Sequence, residues 1–402
     1  MTDQGRGCAQ RVRAEQQAWR DRLIELSRSL HDEPELAFAE HRSVEKISAV
    51  LREAGFDLEP GPADVPTAFS AVRGSGELTV GICAEYDALP DIGHACGHNV
   101  IAAAAVGAAI GLAAVADELG IRVKLIGTPA EEHGGGKVLL LERGVFDDVA
   151  VAMMVHPSQQ DLHPAEFSSQ AVSRFAVTYT GRASHAAAAP HLGVNAGDAA
   201  VVAQVAIGLL RQQVPDECRI GLFVREGGTA TNIIPETSVV DCEVRSTDIE
   251  SLSGLKERVL SCFWAGAEAT GAAMDVAPTE PDYADLWQEP AMSELFAGHI
   301  KSLGRELQVN RTMRGGSTDM GNVSQVVPSI HPCIAILGSE NPPHTRGFAE
   351  DAGTPAADAA VVDGAAAMAL TAVDVASDAV LREKFLGELA ARTSSAAEGG
   401  RP

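Results

Sequence analysis

Between residues 14 and 55 the apolar side chains recur every three to four positions in two runs, broken at His31-Asp32-Glu33-Pro34, where proline cannot continue a helix. Two opening helices are predicted. Segments 67–73 and 78–84 then alternate or run apolar as strands do, and an Ala/Gly-rich apolar stretch, 100–116, follows. Next come a strand at 123–128, a helix near 137–142 and a strand at 150–155, the alternation of an α/β sheet covered on both faces. From residue 171 the rhythm changes to a strand at 174–179, a helix at 195–213, strands near 220–225 and 239–245, a helix at 249–270 and a strand near 273–276. That β-α-β-β-α-β order reads as a second domain inserted into the first. After Pro281 a helix at 289–303, an apolar strand at 334–337 and a helix after Thr354 complete the first domain. The division is therefore 1–170, 171–282 and 283–402, with no internal repeat, and the final dozen residues, ARTSSAAEGGRP, read as disordered.

With 402 residues the chain exceeds what one core usually serves, in keeping with two domains. Its formal net charge of −24, from 55 acidic and 31 basic residues, argues against nucleic acid or an anionic membrane as partner, since both call for a basic face. The first residues contain no apolar run of the secretory kind, so a cytoplasmic location is expected. Seven scattered cysteines are unlike a disulfide scaffold. The stretch 100–116 is at the short limit for a bilayer span and reads as a buried helix. The Ala-rich segment 356–376, interrupted by Asp358, Asp363 and Asp374, reads as an amphipathic helix on a core.

Candidate chemistry gathers where predicted strands end, the usual place for sites in α/β proteins. Asp87-Ala-Leu-Pro-Asp-Ile-Gly-His94-Ala-Cys96-Gly-His98 follows an apolar strand directly, and Cys96 and His98 form a Cys-x-His pair able to offer a thiolate and an imidazole to a borderline metal. Taken alone, Cys96 fits equally well as a small buried hydrophobe, and His98 as a core histidine. Glu131-Glu132 sits between a strand and Gly134-Gly135-Gly136; one carboxylate can bind metal while the other takes a proton from water, although a solvated loop edge would show the same pair. His156-Pro157 ends a third strand, and His344 follows a fourth in Pro342-Pro343-His344-Thr345. Cys96, His98, Glu132, His156 and His344 together form a set better suited to zinc or manganese than to magnesium.

Six ordered motifs, Ala84-Glu-Tyr-Asp-Ala-Leu-Pro, Gly93-His-Ala-Cys-Gly-His-Asn, Pro129-Ala-Glu-Glu-His-Gly-Gly-Gly, Gly181-Arg-Ala-Ser-His-Ala-Ala-Ala-Ala-Pro, Thr229-Ala-Thr-Asn-Ile-Ile-Pro and Gly316-Ser-Thr-Asp, resemble the aminoacylase and carboxypeptidase family of metallopeptidases, family M-twenty. The resemblance runs from about residue 20 to 375 and is greatest to the branch of aminobenzoyl-glutamate hydrolase, plant auxin-conjugate hydrolases and aminoacylase-like dipeptidases. Gly97-His98-Asn99, where many relatives carry Gly-His-Asp, and the short segment 87–93 favour the dipeptidase-like side. The resemblance implies a catalytic α/β domain holding two divalent metals and an inserted lid domain that mediates homodimerisation. By position it implies Cys96 as bridging ligand, His98, Glu132, His156 and His344 as the other ligands, Glu131 as general base and Asp87 as the residue that orients a ligand. In the insertion it implies His185 reaching a partner subunit's site, Asn232 contacting substrate, and Arg245 as a clamp for the substrate carboxylate.

The expected activity is hydrolysis of the amide bond of a small N-acyl amino acid or dipeptide. An aminopeptidase acting on free amino termini, which would need an acidic group for the ammonium, and a metal-dependent assembly subunit without activity are the alternatives.

Overall fold

Side chains along the strand Leu78–Ala84 alternate between two apolar clusters, with Leu78, Val80, Ile82 and Ala84 in one and Cys83 in the other, so all seven residues are buried. The computed structural model that shows this describes residues 3–308 and 316–397. Its strands in chain order are β1 (Asp57–Pro60), β2 (Phe69–Arg73), β3 (Leu78–Ala84), β4 (Ile121–Gly127), β5 (Val151–Met153), β6 (His156–Ser158), β7 (Ala171–Thr180), β8 (Arg219–Glu226), β9 (Thr237–Ser246), β10 (Ala273–Pro278), β11 (Ser329–Ile330) and β12 (Cys333–Ala335).

Two units result, Met1–Ser168 with Leu286–Pro402, and Ser169–Asp285. The division falls a few residues outside the 171–282 read from the pattern, because Val172 and Tyr283 exchange both backbone hydrogen bonds at 2.9 Å and draw their flanks into the insertion.

In the first unit the order is β1-β2-β4-β3-β5-β11; β1, β2 and β4 pair antiparallel, and β4, β3, β5 and β11 parallel. The short strands β6 and β12 pair in parallel just beyond β5 and β11. One face is covered by the helices Asp3–Asp32, His98–Ala113 and Pro355–Ser377. Their small residues allow a close approach, since a Cβ on Gly107 would lie 2.8 Å from Leu23 and 2.9 Å from Ala365. Buried Gln16 donates to the carbonyls of Gly107 (3.2 Å) and Ala365 (3.0 Å), tying the three helices together.

Two helical expectations change. Pro355–Ser377 is long and apolar enough to cross a membrane by length alone, yet 78% of its most apolar window is buried in the unit, so it is a core helix and not a one-sided amphipathic one. Its aspartates are paired: Asp358 with Arg28, Asp363 with Arg305 and Asp374 with His299. The helix Ala379–Ala397 includes most of the tail read as disordered, and Arg392 of that tail donates to the carbonyl of Val149; residues 398–402 lie outside the described residues.

The second unit is one antiparallel sheet, β10-β7-β9-β8, with the helices Ala196–Leu210 and Ile249–Thr270 packed on one face. Its β-α-β-β-α-β order matches the pattern read from the sequence.

Candidate metal centre

Three parallel strands and the segment after β12 deliver side chains to one edge of the first unit. After β3 the chain passes through Glu85 and Asp87, both buried, and turns at Gly97 into the helix His98–Ala113. Gly97 has φ +77°, and a Cβ there would lie 2.4 Å from the Pro157 ring; only glycine lets this turn close on β6. The approach places Cys96 Sγ 3.3 Å from His156 Nε2. After β4, Ala130 adopts φ +61° and swings Glu131 and Glu132 into the same space.

Candidate ligand atoms fall into three groups, each with all atoms within 4.8 Å of one another: Cys96, His98 and His156; Cys96, Glu132 and His344; Glu85, His98 and Glu131. Cys96 belongs to two groups and could therefore serve two ions. The imidazoles are already oriented. His98 Nδ1 meets Asp87 Oδ1 at 3.0 Å and His156 Nδ1 meets the Pro157 carbonyl at 2.8 Å, which leaves each Nε2 facing the site. Asp87 also accepts the backbone N–H of Glu132 through Oδ2 at 3.0 Å, so one carboxylate aligns a histidine and a glutamate.

The donor set fits divalent metal. His98 Nε2, Glu132 Oε1 and Glu85 Oε2 are buried without a hydrogen-bond partner among the described residues. Around His98 Nε2 stand Glu85 at 3.5 Å, Glu131 at 3.8 Å and Glu132 at 3.9 Å, with Glu132 also 3.5 Å from His344 Nε2. Three buried carboxylates and a thiol around one orphaned imidazole nitrogen are costly unless a cation completes them.

Burial and mutual charge shift the titratable groups of the site. Burial first, then Glu85 and Glu132, push Glu131 well above the usual carboxylate range. Burial, with the Glu132 charge, raises the Cys96 thiol. His156 is pushed down to about 3 by burial and by His331, so it is a neutral donor. For His98 burial opposes the charge but the Asp87 carboxylate outweighs it and holds the ring protonated; an ion would have to expel the Nε2 proton.

The remaining anticipated residues lie in the second unit. His185 is exposed and bridges Ile233; its Nδ1 accepts from the N–H groups of Ala187 (3.2 Å) and Ala188 (3.1 Å). Asn232 is its neighbour, its carbonyl accepting Ala186 N–H at 3.0 Å. Arg245 on β9 is engaged by Glu243, Nε to Oε1 at 2.6 Å and Nη2 to Oε2 at 3.1 Å.

Other groups at the centre carry little mark in the linear pattern. Lys137 is fully buried between Glu85 (2.5 Å) and Asp319 (2.7 Å), so it joins the β3 end, the glycine turn and the Gly316-Ser-Thr-Asp motif in one ion triad. His331 is buried with its ring 5.5 Å from that of His156 and is pushed down to about 4 by burial. One signal existed for it: Ile330-His331-Pro332 repeats the apolar-His-Pro ending of Val155-His156-Pro157. Asn99 also acquires a reason. Its Nδ2 donates to Ser27 Oγ and to the Ala352 carbonyl, both at 3.0 Å, which an ionised aspartate could not do.

The chain is 39% identical over 377 residues to the Xaa-Arg dipeptidase of Mus musculus, covering 88% of this chain and 86% of the relative. To the Xaa-Arg dipeptidase of Homo sapiens it is 36% identical over 381 residues, with the same coverage. In structure it resembles a Bacillus subtilis protein described as a dinuclear metal binding peptidase, with a TM-score of 0.65, 22% identity and coverage of 89% and 99% of the two chains. The model of peptidase family M20/M25/M40 matches residues 81–373. With that match and these relatives, the chain belongs to peptidase family M20/M25/M40 and is a metal-dependent amide hydrolase.

Proposed function

We propose that the protein is a dipeptidase whose two divalent ions, zinc or manganese, are held by Cys96, His98, Glu132, His156 and His344, with Cys96 shared. The observation that carries this is the sharing itself, since Cys96 Sγ lies in both the His98–His156 and the Glu132–His344 groups. When bound, such ions supply Lewis acidity toward the amide carbonyl and lower the pKa of a water. Glu131, buried and beside His98, takes the proton of the attacking water and passes it to the leaving nitrogen. Asp87 keeps His98 Nε2 and the Glu132 turn aimed at the same point.

In the second unit, His185 and Asn232 are adjacent and exposed, as groups that meet a substrate would be. We assign His185 to the developing oxyanion in a partner subunit's site and Asn232 to the substrate. Arg245 would act as a carboxylate clamp only by leaving Glu243. A homodimer is supported by exposed Val201, Val205 and Leu209, one stripe at i, i+4 and i+8 on Ala196–Leu210, and by Phe223 and Val224 exposed on edge strand β8.

The nearest substrate class is a dipeptide with a cationic carboxy-terminal residue, by analogy with the Xaa-Arg dipeptidases. A net charge of −24 attracts such a substrate. Turnover of Xaa-Arg and Xaa-Lys dipeptides should exceed that of N-acetyl amino acids and of longer peptides with free amino termini, in protein stripped by chelator and reloaded with zinc or manganese. Preference for the longer peptides would make it an aminopeptidase; equal activity of the stripped protein would end the metal mechanism.

A further inference from the structure

Residues 33–40 join the helices Asp3–Asp32 and His41–Glu53 and reach both segments that carry the carboxylates of the centre. The Glu40 side chain is fully buried, and its Oε1 accepts the backbone N–H of Ala130 at 2.9 Å. Ala130 directly precedes Glu131 and stands at φ +61°, a conformation an alanine keeps only where its surroundings hold it. Its carbonyl in turn accepts Gly135 N–H at 3.0 Å and Gly136 N–H at 3.5 Å, which closes the turn around Glu131 and Glu132.

Two more contacts come from the same segment. The Phe38 ring lies so close over this turn that a Cβ on Gly134 would be 2.3 Å from it. The Glu35 carbonyl accepts Ala88 N–H at 2.8 Å, next to Asp87. Glu35 is itself fixed, its carboxylate accepting the backbone N–H groups of Arg42 (3.2 Å) and Ser43 (2.8 Å). The segment is thus anchored at the start of the second helix and bears on the catalytic turn from one side.

We propose that Glu40 is a positioning residue, which through the Ala130 peptide holds the turn 131–136 in the conformation that aims the Glu131 carboxylate into the metal centre. The proposal rests on Glu131 being the base. What Glu40 contributes is an acceptor at a fixed reach, not a charge: an amide oxygen at the same distance serves equally, and a carboxylate one methylene shorter does not.

Glu40→Gln and Glu40→Asp separate these terms. At saturating metal Glu40→Asp should lower kcat by about tenfold to a hundredfold, the scale of a misplaced catalytic group, with KM near wild type, while Glu40→Gln stays within about threefold of wild type. In metal-free protein, hydrogen exchange of the peptide 128–136 should quicken in Glu40→Asp and not in Glu40→Gln. Glu40→Met, which fills the pocket without an acceptor, repeats the test should the aspartate variant not fold. Wild-type kcat and exchange in Glu40→Asp, or loss of kcat in both variants, would overturn the proposal. Glu131→Gln run alongside distinguishes the causes: if it is inactive the base stands and only the role of Glu40 is at stake, and if it is fully active both readings fall.

Discussion

Glu131 and Glu132 are neighbours in sequence with different surroundings, and each predicts a different failure. Glu131 is raised by burial and by Glu85 and Glu132, whereas Glu132 has an orphaned Oε1 and lies 3.5 Å from His344. Glu131→Gln should therefore keep both metals and lose at least about a hundredfold in kcat. Glu132→Ala should lose metal, as elemental analysis after gel filtration would show. Unchanged turnover in the first together with full metal content in the second would reverse the roles. Glu40 gives a prediction in pH. Burial raises its carboxyl to about 7 from an ordinary 4.5, so its protonated form is the one the fold favours. The stability it lends is complete below about pH 4.5 and is lost as pH rises through 7. Compared with Glu40→Gln, wild type should lose about 3 kcal/mol between pH 4.5 and 8.5 in urea titrations. Parallel stability curves for the two proteins would refute it. What could be read residue by residue also differs. Cys96, His98, Glu132, His156 and His344, which the fold brings together, could be singled out as candidates because each follows an apolar strand in a turn-rich segment. Lys137 and Glu40 were not, since a lone Lys or Glu reads as solvated and only the assembled fold buries it.

Among the elements, the strands that were easiest to read were those buried on both faces. The run 78–84 coincides with β3, and the insertion's helix 249–270 with Ile249–Thr270. β1 and β11 have four and two residues and are exposed or too short to carry a period, and they exist because neighbours offer edges: β2 pairs with β1, and β5 with β11. The turn at Gly97 shows how an element's start can set chemistry. Gly97→Ala must place a Cβ against Pro157 and hold an alanine at φ +77°. It should destabilise the protein by about 1 to 3 kcal/mol and weaken metal retention, since Cys96 and His156 would be forced apart. Calorimetry with and without chelator would measure both, and a variant with wild-type Tm and metal content would show that the approach is looser than the geometry requires.

At the scale of the whole molecule, His185 lies in the insertion while every proposed ligand lies in the flanking unit. On the proposed homodimer, in which the second copy supplies the histidine, His185→Ala and Glu131→Gln chains, each inactive alone, should regain up to about half of wild-type activity per heterodimer, because two-fold symmetry would leave one composite site intact. Verified subunit exchange without recovery would place the histidine in its own chain's chemistry or outside catalysis. The parallel pairing of β5 with β11 has a consequence for synthesis. Met153 pairs with Ile330 across the entire insertion, so at about 5 to 20 residues/s the ribosome leaves the edge of β5 open for roughly 9 to 35 s. Over that interval the insertion, whose strands pair only with one another, can complete its own sheet, while the nascent catalytic sheet presents an unfilled apolar edge. Yield of soluble protein should then depend on what shelters that edge during translation, and slowing elongation after residue 153 would lengthen the exposure.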